Sequence, residues 1–151
     1  MITIAVAGAT GAQGGAAARE LLAAGHPVRA LTRDPAGPAA AALRDLGADV
    51  RRADFDDRAS LDAALAGAGG LFAVTTPFGT DLAVEVRQGR ALIDAASTAG
   101  VGHVVLTSAA HADRGTGVPW TVIAPAAFMD NYAGGWTLEG LRQGVFAWPM
   151  P

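Results

Sequence analysis

The chain has 151 residues, enough for one domain with a buried core. Its 51% apolar content against 17% charged residues excludes intrinsic disorder, and a net charge of -3 offers no basic field for a nucleic-acid backbone. With no cysteine, and with arginine supplying all 11 basic positions, disulfides, thiolate metal sites, cysteine nucleophiles and lysine-assisted catalysis are excluded from the chain as it stands.

Met1 to Ala7 is short, apolar and β-branched, and it ends at Gly8, which predicts a buried parallel strand. Ala12–Ala24 is rich in Ala and Leu and predicts a helix stopped by Gly25. Pro27–Thr32 is a second strand, followed by the turn Arg33-Asp34-Pro35. Ala39–Leu46 is a helix ended by Gly47, and Asp49–Ala53 is a third strand. Ser60 is expected to cap a helix over Leu61–Leu65, with Asp62 in its first turn. Gly70–Thr75 is a fourth strand, closed by Thr76-Pro77. Asp81–Thr98 is the longest helical pattern, with Leu82, Val86, Leu92, Ile93 and Ala96 as its apolar stripe and Gly100 as its stop. That stripe reads as core or as a subunit interface. His103–Thr107 and Trp120–Ala124 are the fifth and sixth strands. Strands alternating with helices predict an α/β fold, a doubly wound parallel sheet with helices on both faces. Aromatics amount to 6%, so the core is expected to be built from Ala, Val, Leu and Ile.

One connection conflicts with this pattern. The fifth and sixth strands are joined only by Ser108–Pro119, and two parallel strands in one sheet need a crossover of about a dozen residues or more, usually helical. Gly115, Gly117 and Pro119 oppose a helix there. Either a crossover segment is absent between about 111 and 120, which is the favoured reading, or the sixth strand does not lie parallel beside its neighbours.

Gly8-Ala9-Thr10-Gly11-Ala12-Gln13-Gly14 reads G-x-x-G-x-x-G between a strand and a helix. Gly8 permits the tight turn, Gly11 lets backbone approach a pyrophosphate, and Gly14 lets the helix pack closely on the sheet. The free amides and dipole of the helix N-terminus favour the anion. Gly8, Thr10, Gly11, Ala12, Gln13 and Gly14 are therefore the expected diphosphate-binding segment. The end of the second strand belongs beside the adenosine ribose. Arg33 stands there in place of the acid common in NAD binders, and its planar fork suits a 2′-phosphate. NADP(H) is accordingly preferred, while NAD(H) stays open because Asp34 is adjacent and Arg33 also reads as a solvated turn residue. Asp54 can accept from an adenine amino group and Phe55 can pack on the base, or Asp54 can serve as a loop acid or helix cap. Thr75, Thr76 and Pro77 end the fourth strand at the carboxyl edge, where they can meet the nicotinamide ribose or simply terminate the strand.

These pieces resemble the NmrA-like family of atypical short-chain dehydrogenases/reductases. The resemblance rests on the glycine motif, VRALTRDP at 28–35, ADFDD at 53–57, EVRQGRALIDAA at 85–96, HVVLTSAA at 103–110 and WTVIAPAAFMDN at 120–131. It implies a Rossmann domain binding NAD(P)(H), here residues 1–131, followed by a smaller substrate domain of which residues 132–151 would be the start and the rest would be missing. Members include NADP(H)-sensing regulators and reductases of quinones and other small carbonyl or phenolic compounds. The family usually carries a helix between the fifth and sixth strands that often supplies a lysine, and this chain has no room for it.

Catalytic candidates are sparse. Tyr132 is the one tyrosine and no lysine follows it, so a Tyr-Lys pair is absent. Ser108 follows the fifth strand, where a substrate-binding serine occurs in the wider superfamily, although its favoured reading is a strand-end hydroxyl bonding nearby backbone. His111 can titrate near neutral pH or can be merely solvated. His26 and His103 read as structural. Phe128, Met129, Asp130 and Asn131 resemble the family's segment lining the nicotinamide side. The functional expectation is an NADP(H)-dependent oxidoreductase of a small molecule such as a quinone. The alternatives are a non-catalytic NADP(H)-sensing regulator with a protein partner, and a degenerate domain without activity. No stretch of 18 apolar residues free of charge and no basic-then-apolar leader is present, so a cytoplasmic protein without membrane or nucleic-acid contact is expected, with a homodimer left open.

Overall fold

The computed structural model describes residues 1–75, 81–107 and 117–123. Strands and helices alternate through them: β1 Ile4–Val6, α1 Ala12–Ala23, β2 Val28–Thr32, α2 Pro38–Asp45, β3 Asp49–Arg52, α3 Arg58–Leu65, β4 Gly70–Val74, α4 Leu82–Thr98, β5 His103–Thr107 and β6 Trp120–Ile123. The strands form one parallel sheet in the order β3-β2-β1-β4-β5-β6. This is the Rossmann-type arrangement that the alternation predicted. Strand order reverses between β1 and β4, so the crevice outside their carboxyl ends is the topological switch point.

Both faces of the sheet are covered because successive residues on each inner strand feed opposite layers. Ala5 of β1 and Ala7 just beyond it, Leu31 of β2, and Leu71 and Ala73 of β4 join one core cluster. Leu61, Ala64 and Leu65 of α3 and Leu92, Ala95 and Ala96 of α4 complete it. Val6, Val28 and Ala30 face the other cluster, with Ala18 of α1 and Leu43 of α2. Fully buried Leu31, Leu61, Leu65, Leu71 and Leu92 each contribute about 1.5–3 kcal/mol by leaving water, before the cost of ordering them. Edge strand β3 carries Asp49, Arg51 and Arg52, charges that discourage pairing with another chain.

Several predicted boundaries move for identifiable reasons. β1 begins at Ile4, while Met1 and Ile2 are exposed. Helix α2 starts one residue early because Pro38 occupies its first turn, where a missing N–H costs nothing. Helix α3 starts at Arg58, because Asp57 and not Ser60 is the cap: Asp57 Oδ1 accepts from Ser60 N at 3.1 Å. The Ser60 hydroxyl instead accepts from Asp54 N at 2.9 Å and donates to Asp57 O at 2.8 Å. On α4, Val86 leaves the predicted core stripe and is 46% exposed. It lies six residues before buried Leu92, about 240° around the helix. Gly25, Gly47 and Gly100 stop α1, α2 and α4 with φ of 81°, 96° and 72°.

β6 pairs in parallel with β5, Val104 opposite Trp120 through Thr107 opposite Ile123. The reading in which the sixth strand lies elsewhere is thereby overturned. Residues 108–116, most of the short connection, lie outside the described residues, as does Ala124.

Candidate functional site

The glycine turn is built by steric exclusion. Gly8 takes φ of 60°, and a Cβ there would sit 2.8 Å from Val74 Cγ1 on β4. A Cβ on Gly14 would collide with the Gly8 carbonyl oxygen and lie 2.6 Å from Ala7 O. A Cβ on Gly11 would come within 3.3 Å of Gly8 O. Gly11 is the N-cap of α1 and offers no side-chain cap, and the first turn of α1 holds no acidic residue. The leading amides of α1 are thus left without an intrahelical partner, beside the switch point, in a turn whose tightness only glycine permits. These features fit a diphosphate.

Two polar side chains of the turn are held from outside it. Thr10 Oγ1 lies 3.4 Å from Thr32 Oγ1 at the end of β2, and Thr107 Oγ1 at the end of β5 donates to Gln13 Oε1 at 3.3 Å. Ala12 opens α1 and is exposed. Arg33, next after β2, is exposed and makes no side-chain hydrogen bond or ion pair among the described residues. Asp34 is partly engaged: its Oδ1 accepts from Ala36 N at 3.0 Å and its N–H donates to Thr32 Oγ1 at 3.2 Å. The carboxylate thereby shapes the turn, and the guanidinium is the free charge of the pair.

Beyond β3, Asp54 keeps a partly exposed carboxylate. Its Oδ1 accepts from Asp56 N at 3.1 Å, and Arg52 Nη2 stands 3.9 Å from Oδ2. Phe55 is half-buried and packs on the cluster beneath α3 and α4. Asp56 receives Arg87 Nη2 at 2.9 Å and Gln88 Nε2 at 2.8 Å, which ties this loop to α4. The hydrogen bond from Arg87, with that from Gln88, holds the Asp56 carboxyl below the usual carboxylate range. Thr75, at the carboxyl end of β4, donates to Glu85 Oε1 of α4 at 2.8 Å.

Gly8, Thr10, Gly11, Ala12, Gln13, Gly14, Arg33, Asp54 and Thr75 all therefore lie at or just beyond the carboxyl ends of β1 to β4, on one edge of the sheet. Thr76, Pro77, Ser108, His111, the segment Phe128–Asn131 and Tyr132 lie outside the described residues. Sequence reasoning missed Thr32, Thr107, Glu85, Arg87 and Gln88 as neighbours of the site. The one available signal was a hydroxyl at the last position of two strands where valine would serve as well. A shallow depression of about 870 Å³ runs along the exposed flank of α4 past Arg58, Val86, Arg87 and Arg90, and it contains none of the expected cofactor-binding residues. Among the described residues, no helix is long and apolar enough to cross a membrane.

The sheet order, the covered faces and the glycine turn at the switch point define a Rossmann-type α/β domain. The chain belongs to the NmrA-like family, whose model matches residues 2–132. It is 44% identical over 115 positions to an NmrA-like family domain-containing oxidoreductase of Aspergillus hancockii, covering 70% of this chain and 33% of that protein. It is 30% identical to quinone oxidoreductase 2 of Escherichia coli, covering 95% of this chain and 54% of that one. This second alignment runs over 162 positions, more than the 151 residues of the chain, so the relative carries residues inside the matched span that are lacking here.

Solved structures give the same picture. An NADPH-dependent quinone oxidoreductase of Escherichia coli complexed with NADPH is similar at a TM-score of 0.76 and 31% identity, covering 97% of this chain and 56% of that one. NmrA, a negative transcriptional regulator in complex with NADP, is similar at a TM-score of 0.59 and 31% identity over 72% of this chain and 33% of that one. The chain spans about a third to a half of the length of the curated relatives it matches.

Proposed function

We propose that the chain is the NADP(H)-binding part of an oxidoreductase that reduces a small molecule such as a quinone. The observation that carries this reading is the pairing of a turn too tight for any Cβ at Gly14 with an Arg33 guanidinium that has no partner among the described residues, beyond the carboxyl ends of the neighbouring strands β1 and β2. The dinucleotide, when bound, supplies the hydride. The amides of the first turn of α1, with Thr10 and Gln13, bind the diphosphate; Arg33 binds the 2′-phosphate; Asp54 accepts from the adenine amino group with its less engaged oxygen. Phe55 walls that end of the crevice, and Thr75 to Pro77 border the nicotinamide ribose. Ser108 and His111 are the groups assigned to the acceptor side, where a developing oxyanion needs a proton. Residues 1–131 form the cofactor unit, residues 132–151 open the substrate region, and the additional residues of the longer relatives fall between β5 and β6. The matched quinone oxidoreductase supports the substrate class.

Calorimetry with NADP⁺ and NAD⁺ tests the cofactor assignment. NADP⁺ is expected to bind more tightly, and Arg33→Ala to erase that preference while leaving NAD⁺ affinity unchanged. Unchanged selectivity in Arg33→Ala removes the role given to that residue. NADPH oxidation against a panel of quinones tests the activity. The likeness to an NADP-complexed transcriptional regulator supports a second reading, a redox sensor. A sensor discriminates oxidised from reduced cofactor without acceptor-dependent oxidation, so the same two measurements separate the readings.

A further inference from the structure

We infer that Thr32 and Thr107 are positioning residues for the glycine turn. Two buried hydroxyls, on either flank of the switch point, hold the Thr10 and Gln13 side chains of the turn in place, and on the Gln13 side this leaves the donors of the amide for an anion. Thr32 and Thr107 are the buried polar residues among those described, 7% and 6% exposed. Each is the last residue of its strand, β2 and β5, which lie on opposite sides of β1 in the sheet. Valine has the same branched shape and suits a strand equally well. A hydroxyl in its place costs free energy in a buried site unless it is hydrogen-bonded, and no buried side-chain polar atom among the described residues lacks a partner.

Both partners lie on the glycine turn. Thr107 Oγ1 donates to Gln13 Oε1 at 3.3 Å. Gln13 stands in the first turn of α1, and its Nε2 has no partner among the described residues. With the carbonyl end occupied, the two N–H donors are what the amide presents to the crevice. Turned over, the amide would present an acceptor to an anion. Thr32 Oγ1 already accepts from Asp34 N at 3.2 Å and lies 3.4 Å from Thr10 Oγ1. Its own proton faces Asp34 O at 3.4 Å, so its contact with Thr10 fixes where that side chain sits rather than which way its O–H points.

This inference rests on the dinucleotide reading and is tested on the 151-residue chain. Thr107→Val and Thr32→Val are compared with Thr107→Ser and Thr32→Ser by calorimetry against NADP⁺, NAD⁺ and ADP-ribose, which share the diphosphate. Each valine variant is expected to bind all three about three- to tenfold more weakly, the scale of one neutral hydrogen bond. Its thermal midpoint in the absence of ligand should be unchanged, and serine should restore binding. In a Gln13→Leu background, Thr107→Val should have no further effect. Valine variants that bind like the wild type, or that lose affinity together with thermal midpoint and are not rescued by serine, overturn the inference while leaving the dinucleotide reading intact. A wild-type chain that binds none of the three ligands overturns both.

Discussion

Two helical glycines, Gly14 of α1 and Gly89 of α4, should respond to alanine in opposite directions. A Cβ at Gly14 meets backbone, the Gly8 and Ala7 carbonyl oxygens, and neither can yield without moving the turn. Gly14→Ala should cost about 1–3 kcal/mol in denaturant unfolding, as overpacking does, and should abolish dinucleotide binding. A Cβ at Gly89 in α4 meets only Thr75 Cγ2, at an ordinary 3.6 Å. Gly89→Ala should raise stability by up to about 1 kcal/mol, the helix-propensity gain. Asp57 gives a pH-dependent counterpart. The hydrogen bond from Arg52, aided by the backbone at Ser60, holds its carboxyl below the ordinary range in the folded chain. Its contribution is therefore fully present above the unfolded value, about pH 4, and is lost as pH falls through the lower folded value. Thermal midpoints of the wild type and Asp57→Asn should differ at pH 7 and converge in acid.

At the scale of elements, what was legible in the sequence was what neighbouring residues decide. Glycines in the left-handed region ended α1, α2 and α4 as expected, because that conformation is a property of one residue and its neighbours. The start of α3 was misjudged because Asp57 and Ser60 are both capping residues, and only the folded loop shows which carboxylate or hydroxyl reaches the free amide. Through-space pairs between distant elements were not legible at all. Arg29 is the clearest case: it donates to Asp49 at 3.0 Å on β3, and to the Ala64 and Ala66 carbonyls at 2.9 and 2.7 Å. It joins the sheet edge to the end of α3, where carbonyls have no intrahelical partner. Its side chain is only 16% exposed. Arg29→Ala should therefore destabilise by about 1.5–3 kcal/mol in denaturant unfolding, well above the effect of an exposed pair such as Arg58 with Asp62.

For the whole molecule, the alternation of strand and helix sufficed for the fold class, since both faces of a parallel sheet must be covered and few topologies allow it. The glycine motif then located the crevice, because its steric demand is written in the chain. Glu85 on Thr75, and Arg87 and Gln88 on Asp56, were hidden because they join loops to a helix 10 to 32 residues away. The proposed contacts come from the ends of four strands: Gly11 after β1, Arg33 after β2, Asp54 after β3 and Thr75 after β4. A dinucleotide spanning them bridges both halves of the sheet and binds only the folded chain. At a hundredfold excess over Kd, NADP⁺ should stabilise the fold by about 2.7 kcal/mol, read as a rise in thermal midpoint. In the proposed reading the 2′-phosphate contact is an exposed ion pair at Arg33, whereas the diphosphate rests on backbone amides and a helix terminus. Raising salt from about 0.05 to 0.5 M should therefore shrink the rise with NADP⁺ more than that with NAD⁺. In Arg33→Ala the two coenzymes should show the same salt dependence; a persistent difference in that variant would place the 2′-phosphate on another cation.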